Sequence, residues 1–243
     1  MKLLLADIET APIIAGVWGL FDQDVAINQI MQSGYTLCWS AKWFGSSRIY
    51  YDDIRSGKKK MLTGIHKLLD EADAVCHYNG DKYDIPTLNG EFLVAGMTPP
   101  SPAKQMDLLK VVRHRFRFPS NKMDYVAMRC GTRRKLPNKG FELWLDCMAK
   151  KPAAWKEMKR YNNMDVLALE DIYLKVRPWI KDHLNLSTLY GRPVCPNCGK
   201  DDSQARGQVV TRTSVFQRFV CNSCGTWHRA TKNLRKTEKR VTA

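Results

Sequence analysis

The spacing of hydrophobic residues predicts a sheet covered by helices over most of the chain. An apolar run over residues 2–8 that ends in acidic residues predicts a buried strand. Residues 35–44 and 48–53 predict two more strands, joined by a turn at Gly45-Ser46-Ser47. Between Lys58 and Glu71, leucine and isoleucine recur at helical spacing, which predicts an amphipathic helix. The two later strands are expected to form a hairpin beside the first.

Strand and helix continue to alternate after this helix. Residues 74–77 predict another short strand, and a second helix is expected to begin near Asp84-Ile85-Pro86. More helix is expected within residues 107–130, followed by a basic loop over residues 131–140. Residues 152–176 predict a long helix with proline in its first turn. This order of elements predicts an α/β fold, in which helices flank a mixed sheet.

A change of composition after Leu186 indicates a second, smaller domain. Residues 186–243 contain eleven Lys or Arg and three Asp or Glu, a net charge of +8, which leaves +7 for the preceding residues. We therefore expect a large domain over residues 1–187, a small module over 188–231 and a basic tail over 232–243, whose order the sequence leaves open.

The chain as a whole is strongly basic. Its 243 residues carry a formal net charge of +15, and 44% of them are hydrophobic, enough for a real core. Surface Lys and Arg displace counterions from phosphates, so nucleic acid is the expected partner. The alternatives are that the charge keeps the protein soluble or binds an acidic membrane surface. The run Leu3-Leu4-Leu5-Ala6 lacks the length of a secretory signal, and no stretch reaches the roughly 20 apolar residues of a membrane span. We expect a cytoplasmic protein without membrane contact.

Acidic residues recur where the predicted strands end. Asp7 and Glu9 are two residues apart on the first strand, so both side chains point to one face and can approach one cation. Asp84 follows a strand and opens a helix, a junction where α/β sheets bind ligands, although it can also be a plain helix cap, and Asp81 is its rival for either role. Tyr161 and Asp165 share one face of the long helix. Each motif alone also has a purely structural explanation.

Together these motifs resemble those of the DEDD exonucleases, the DnaQ-like branch of the RNase H-like proteins, and specifically the DEDDy group. The resemblance lies in Asp7-x-Glu9, in Asn79-x-x-x-Tyr83-Asp84 and in Tyr161-x-x-x-Asp165, in the order of the family. The resemblance covers about residues 1–180. This part of the chain is similar to the proofreading domains of family B polymerases. The resemblance favours Asp84 over Asp81.

This resemblance implies a 3′→5′ exonuclease with two Mg²⁺ or Mn²⁺ ions about 4 Å apart. Asp7 would bridge both ions, Glu9 and Asp165 would complete the site of the ion that activates water, and Asp84 would support the second ion. Tyr161 would orient the attacking water through its hydroxyl group. Asn79 would contact the substrate strand.

Two basic segments between the second and third motifs are candidates for nucleic-acid contacts. In residues 113–118, Arg113 and Arg115 alternate with aromatic residues, a composition typical of grooves for single strands. The alternative is a solvated helix face with both phenylalanines in the core. Arg133, Arg134 and Lys135 form the second basic segment.

Four of the eight cysteines form two close pairs, Cys195 with Cys198 and Cys221 with Cys224. Four thiolates at this spacing predict a closed, structural Zn²⁺ site in a zinc ribbon, with a β-hairpin within residues 208–220. Redox pairs or disulfides are the alternatives, and His228 is a possible substitute ligand that we interpret as a surface residue. The other four cysteines are interpreted as reduced, buried thiols.

The ribbon also carries candidate contacts for nucleic acid: Arg212, Arg218, Arg229 and Trp227. Trp227 either stacks on a base or fills the small core of the ribbon. A replication or repair protein is the alternative partner of the ribbon. The favoured function is hydrolysis of DNA, single-stranded or at 3′ ends. The alternatives are an exoribonuclease or an endonuclease with the same site, and an adaptor that binds nucleic acid or a polymerase without turnover.

Overall fold

The computed structural model describes residues 1–22, 24–235, 238, 240 and 241. Its internal contacts divide the chain into two compact units, residues 2–173 and, together with Met1, residues 174–243. The domain boundaries that we expect from the sequence stay predictions. Among the described residues, no helix combines the length and apolar character needed to cross a membrane.

A five-stranded mixed sheet forms the centre of the first unit, with helices around it. Its strand order is β5-β4-β1-β6-β7, antiparallel from β5 to β1 and parallel from β1 to β7. The strands are β1 (Leu3–Thr10), β4 (Thr36–Trp43), β5 (Ile49–Asp53), β6 (Ala74–His77) and β7 (Lys104–Asp107), and β2 (Ile14–Ala15) and β3 (Ile30–Gln32) form a separate two-stranded sheet. The predicted RNase H-like mixed sheet is confirmed.

The described residues of this unit form six α-helices, which lie between and after these strands in the sequence. They are α1 (Lys58–Asp70), α2 (Asp84–Val94), α3 (Leu108–Arg115), α4 (Met123–Cys130), α5 (Phe141–Met148) and α6 (Pro152–Val176). The periodic patterns predicted α1 and α6 almost to the residue. They did not predict β7, α5 or the small β2–β3 sheet, which are short or lack a clear apolar period.

Hydrophobic residues on one face of the sheet pack against α1. Met61, Leu62 and Ile65 are fully buried, and each contributes roughly 1.5–3 kcal/mol by leaving water. Gly64 lets this helix approach closely, because a Cβ atom there would lie 2.8 Å from the Trp39 ring. The helix thereby fixes β1 and β4 from one side.

The long helix α6 packs against residues of β4 in a second core cluster. Trp155, Met158 and Tyr161 are buried beside Leu37 and Cys38. Further along, Lys42 and Glu170 form an ion pair that is almost completely buried. These contacts set the rotation of α6, and therefore which of its polar residues face β1.

The second unit contains α7 (Leu186–Tyr190) and an antiparallel sheet of β8 (Ser203–Val210), β9 (Val215–Cys221) and β10 (Trp227–Asn233), in the order β10-β9-β8. The predicted hairpin is present, and the third strand was not predicted. Of the expected basic tail, residues 236, 237, 239, 242 and 243 lie outside the described residues.

Candidate active site

Asp7 and Glu9 lie side by side on the central strand of the sheet. Strand β1 is hydrogen-bonded to β4 on one side and to β6 on the other. Ile8, between the two acids, points into the core and is 5% exposed, while Asp7 and Glu9 point to the opposite face and are half-buried. The predicted pair of carboxylates therefore shares one face.

Helix α6 brings the third acidic residue to this face. Oxygen atoms of Asp7, Glu9 and Asp165 lie within 4.8 Å of one another. The Asn162 side chain donates a hydrogen bond to Asp7 Oδ2 at 2.6 Å and so ties the helix to β1. Asp165 is buried, and its Oδ1 has no hydrogen-bond partner among the described residues.

Asp84 lies next to this group at the start of α2. Its Oδ1 accepts a hydrogen bond from the backbone N–H of Ile8 at 3.2 Å, so it contacts β1 between the two acids. Asp84 is outside the set of three carboxylates within 4.8 Å. Its rival Asp81 is instead paired with Lys110 at 2.5 Å and lies 3.4 Å from His77. The structure thus places Asp84, rather than Asp81, against β1.

Two buried groups hold the loop that leads to Asp84. His77 Nδ1 accepts a hydrogen bond from the Gly80 N–H, and a Cβ atom at Gly80 would lie 2.4 Å from the His77 ring. Asp107 Oδ1 accepts from the Asn79 N–H at 2.9 Å. Asn79 is left-handed, with φ +69°, a conformation that asparagine tolerates better than most residues. Asn79 is half-buried in this turn.

The clustered carboxylates raise one another's affinity for protons. Burial, and then the charge of Asp165, raises the pKa of Asp7 well above its usual range. The same two causes raise the pKa of Glu9 to about 8. Burial also raises the pKa of Asp165, although the ammonium group of Lys135 opposes this. Such a group of oxygen ligands, one of them without a partner, suits hard divalent cations.

Lys135 enters the carboxylate cluster, which the sequence did not indicate. Its Nζ lies 2.5 Å from Asp165 Oδ2 and donates a hydrogen bond to the Tyr161 hydroxyl at 3.1 Å. Its two neighbours in the basic segment are engaged elsewhere: Arg133 is paired with Asp171 and Arg134 with Asp124. Three consecutive basic residues therefore have three different partners.

Trp144 is a further residue of the site that the sequence analysis missed. Its side chain lowers the pKa of the Glu9 carboxyl group, against the larger effect of burial. Its ring contacts Tyr161 edge to face, with 5.9 Å between ring centroids. No motif surrounds Trp144, and only the position of α5 brings it here.

An open cavity of about 950 Å³ begins at Glu9 and Tyr161. Its walls are mainly aromatic and small polar side chains, among them Thr10, Tyr35, Tyr83, Asn138, Phe141 and Trp144. Its size exceeds that of one nucleotide, and its aromatic walls can contact a base. The cavity therefore offers space for a substrate next to the carboxylates.

The predicted basic and aromatic segment lies at the end of α3. Arg113 and Arg115 are exposed, whereas Phe116 and Phe118 are half-buried with ring centroids 5.7 Å apart. Neither phenylalanine belongs to the buried core, so the core alternative for them is wrong. The predicted contacts of Arg113 and Arg115 with nucleic acid stay predictions.

In the second unit, the structure brings the two cysteine pairs together. Cys195 Sγ and Cys224 Sγ are 3.7 Å apart, and Cys198 Sγ and Cys221 Sγ are 3.6 Å apart. These separations exceed a disulfide bond of about 2.05 Å. They match the edge of about 3.8 Å that follows from a tetrahedron with Zn–S bonds of about 2.3 Å. The four thiols thus fit a Zn²⁺ ion.

Two side chains of the predicted ribbon are placed by its sheet. His228 is hydrogen-bonded to Ser203 and stacks on Phe219, outside the cysteine cluster. Trp227 is 55% exposed, so the interpretation that it fills the core of the ribbon is wrong. Of the remaining cysteines, Cys38, Cys76 and Cys147 are buried and Cys130 is half-buried.

Comparisons with known proteins agree with this geometry. A sequence model of the RNase H superfamily (RNase_H_2) matches residues 35–177. The fold is similar to the crystal structure of the Nibbler EXO domain of Aedes aegypti, with 17% sequence identity, a TM-score of 0.50, and coverage of 73% of this chain and 78% of that domain. No curated protein has significant sequence similarity to the chain. The match to most of the five-stranded sheet and its helices shows that the chain belongs to the RNase H superfamily.

Proposed function

We propose that the protein is a metal-dependent 3′→5′ exonuclease of the DEDDy type. The observation that carries the proposal is the meeting of Asp7, Glu9 and Asp165 within 4.8 Å, with Asp84 hydrogen-bonded beside them. Burying mutually repelling carboxylates destabilises the fold, so their presence favours a functional role. The membership in the RNase H superfamily supports the same conclusion.

The four acids would hold two Mg²⁺ or Mn²⁺ ions. The charges of Glu9, Asp84 and Asp165 all act on Asp7, so Asp7 would be shared by both ions, with Glu9 and Asp165 completing one site and Asp84 supporting the other. When bound, such ions supply an activated water and stabilise the leaving oxygen of a phosphodiester. The partnerless Oδ1 of Asp165 is consistent with a cation ligand, because buried polar atoms are otherwise almost always hydrogen-bonded.

Tyr161 and Lys135 would assist from the same side as Asp165. Burial raises the pKa of the Tyr161 hydroxyl, so the group remains protonated and can donate a hydrogen bond to the attacking water. The Lys135 ammonium group opposes the rise that burial causes in the pKa of Asp165, and it would place a positive charge beside a bound phosphate. Trp144 would keep Glu9 and Tyr161 in place for this step.

The aromatic cavity would receive the terminal nucleotide of the substrate. It opens directly onto Glu9 and Tyr161, so a nucleotide in it has its phosphate close to the carboxylates. The 3′→5′ direction and the preference for DNA follow from the resemblance to proofreading exonucleases. Asn79, Arg113, Arg115, Arg133 and Arg134 are proposed to contact the strand beyond the cavity.

The four cysteines of the second unit would bind one structural Zn²⁺ and make this unit a zinc ribbon. A closed set of four thiolates stabilises a small fold but leaves no position for water, so catalysis is expected only at the carboxylates. The sheet β8–β10 supplies the ribbon strands. A replication or repair protein as a second partner of the ribbon stays a prediction.

The test uses oligonucleotides labelled at either end, incubated with the purified protein and Mg²⁺ or Mn²⁺. We expect a 5′-labelled single strand to shorten stepwise and release nucleoside monophosphates. Asp84→Ala should abolish this activity, whereas Asp81→Ala, which removes a neighbouring acid outside the group, should retain it. Asp7→Ala should be inactive as well.

Other substrates separate the alternatives. Shortening of RNA but not DNA would make the protein an exoribonuclease, and cleavage of circular single strands would make it an endonuclease. Intact substrates of every kind under these conditions would refute the proposal and favour a binding protein without turnover.

A further inference from the structure

One face of the β8–β10 sheet alternates arginine and aromatic side chains. Arg218 and Arg229 are directly paired between β9 and β10, so both side chains leave the sheet on the same side. Phe216 and Trp227 are two residues away along their strands and therefore share that side. Arg218 Cζ lies 5.1 Å from the centroid of Trp227, and Arg229 Cζ lies 3.9 Å from that of Phe216. We call these four residues the ribbon face.

The ribbon face is open to a ligand. Trp227 is 55% exposed, and both arginines are exposed. Arg218 donates through Nε to a backbone carbonyl, and Arg229 through Nη1 to another. Within the described part of the chain, neither guanidinium group forms an ion pair with a carboxylate. A phosphate that binds either guanidinium group therefore displaces no carboxylate of the described part of the chain.

The charge around this face has one sign. From residue 203 to residue 235 the sequence contains six Lys or Arg and no Asp or Glu. The nearest acidic residue before this segment, Asp202, is hydrogen-bonded to Ser223 and Asn222 beside the cysteines. Such a uniform positive charge attracts a polyanion.

We propose that the ribbon face binds single-stranded nucleic acid, with a base stacked on Trp227 and backbone phosphates bound by Arg218 and Arg229. Exposed aromatic rings match unpaired bases, because every base has a flat π surface. Guanidinium groups bind phosphates in planar, bidentate geometry and also stack. Duplex nucleic acid, whose bases are paired, would contact the two arginines but would not stack on Trp227. An acidic peptide has no base to stack on Trp227.

This site uses none of the carboxylates, so it exists independently of the proposed exonuclease activity. It would hold a strand through contacts that tolerate any base sequence. Its failure and the failure of the proposed hydrolysis are therefore separable, since one is measured as binding without Mg²⁺ or Mn²⁺ and the other as cleavage.

The test measures fluorescence anisotropy of a labelled oligothymidylate of about 20 nucleotides, long enough for a groove of this kind. The full-length protein is used with its zinc retained, without added Mg²⁺ or Mn²⁺, and with Asp7→Ala to prevent cleavage. We expect Trp227→Ala to weaken binding roughly 5- to 150-fold, the effect of losing one stacked base. Trp227→Phe, which keeps a ring, should recover most of the affinity.

The phosphate contacts are tested by salt dependence. Replacing Arg218 and Arg229 together by glutamine should lower the slope of log affinity against log salt by about 1.4, or about 0.7 per phosphate on a single strand. Arg192→Gln removes one exposed charge of the same unit outside the sheet. In this background, Trp227→Ala should weaken binding by the same factor as it does without Arg192→Gln. Zinc content measured on each variant identifies any that fail to fold, and Arg229→Gln alone then replaces the double variant, with an expected decrease of about 0.7 in the slope.

Three results would overturn the proposal. The first is unchanged affinity of Trp227→Ala with full zinc content. The second is duplex DNA binding as tightly as the single strand, which would leave only a phosphate-binding surface. The third is competition by polyglutamate as effective as that by oligothymidylate, which would point to an acidic protein.

Discussion

Replacing Asp7 by asparagine should stabilise the protein while it abolishes catalysis. Asp7 is held beside Asp165, Asp84 and Glu9, and its pKa is raised because of burial and because of these neighbouring charges. Asparagine has the shape of the neutral acid and can still accept the hydrogen bond from Asn162. The substitution removes the repulsion and keeps the packing.

The magnitude follows from the proton linkage. Above both the folded and the unfolded pKa, each unit by which folding raises the pKa of a carboxyl group costs about 1.4 kcal/mol of stability, and the pKa of Asp7 is raised. Asp7 is partly exposed and lies near Lys135, so we expect a gain of about 1–2 kcal/mol, or about 2–8 °C in Tm. Because the folded protein binds more protons than the unfolded chain, the penalty is absent below about pH 4 and grows as the pH rises.

Thermal unfolding of both proteins without added Mg²⁺ or Mn²⁺, between pH 5 and pH 8, tests this reasoning. The advantage of Asp7→Asn should increase with pH, and added Mn²⁺ should stabilise only the wild type. Asp171→Asn is a matched control, because its partner Arg133 lowers the pKa of Asp171, so its removal should be neutral or destabilising. A loss of stability in Asp7→Asn similar to that in the control would refute the idea of a repulsive cluster.

Three further substitutions have defined effects. Lys42→Met leaves Glu170 buried without its partner and should lower the free energy of unfolding by about 3–5 kcal/mol, measured with urea. Trp144→Phe keeps a ring on Tyr161 but removes the indole N–H that lowers the pKa of Glu9, so kcat should fall about tenfold or more in the cleavage assay. Cys198→Ser should release zinc, measured by elemental analysis, since it removes one of four ligands.

Each of these substitutions has a control in the same chain. Lys2→Met breaks an exposed ion pair and should change the free energy of unfolding by less than about 1 kcal/mol. Trp155→Phe removes an indole N–H that has no hydrogen-bond partner among the described residues and should leave kcat unchanged. Cys130→Ser should leave the zinc content unchanged. Equal effects in a variant and its control would contradict the assignment.

Local periodicity was sufficient for the elements with long, regular patterns. The apolar run before Asp7, the helical spacing over 58–71 and the proline that opens the helix at 152 all predicted elements that the structure contains. The short strand β7 was missed because Met106 is its single apolar residue, and α5 was missed because two helical turns give too few repeats for a period to be recognised. Their positions depend on the sheet and helices around them.

The residues of the candidate site were predictable from their spacing along the chain: acids two residues apart on a strand, an acid at a strand–helix junction, a tyrosine and an acid on one helix face, and two cysteine pairs. That Lys135, rather than Arg133 or Arg134, faces Asp165 was visible only in the folded chain. The tertiary structure also brought Trp144 to Glu9 and left Trp227 on the surface. The reason is physical: spacing along one element fixes which side chains share a face, but which partner they meet depends on how distant elements pack.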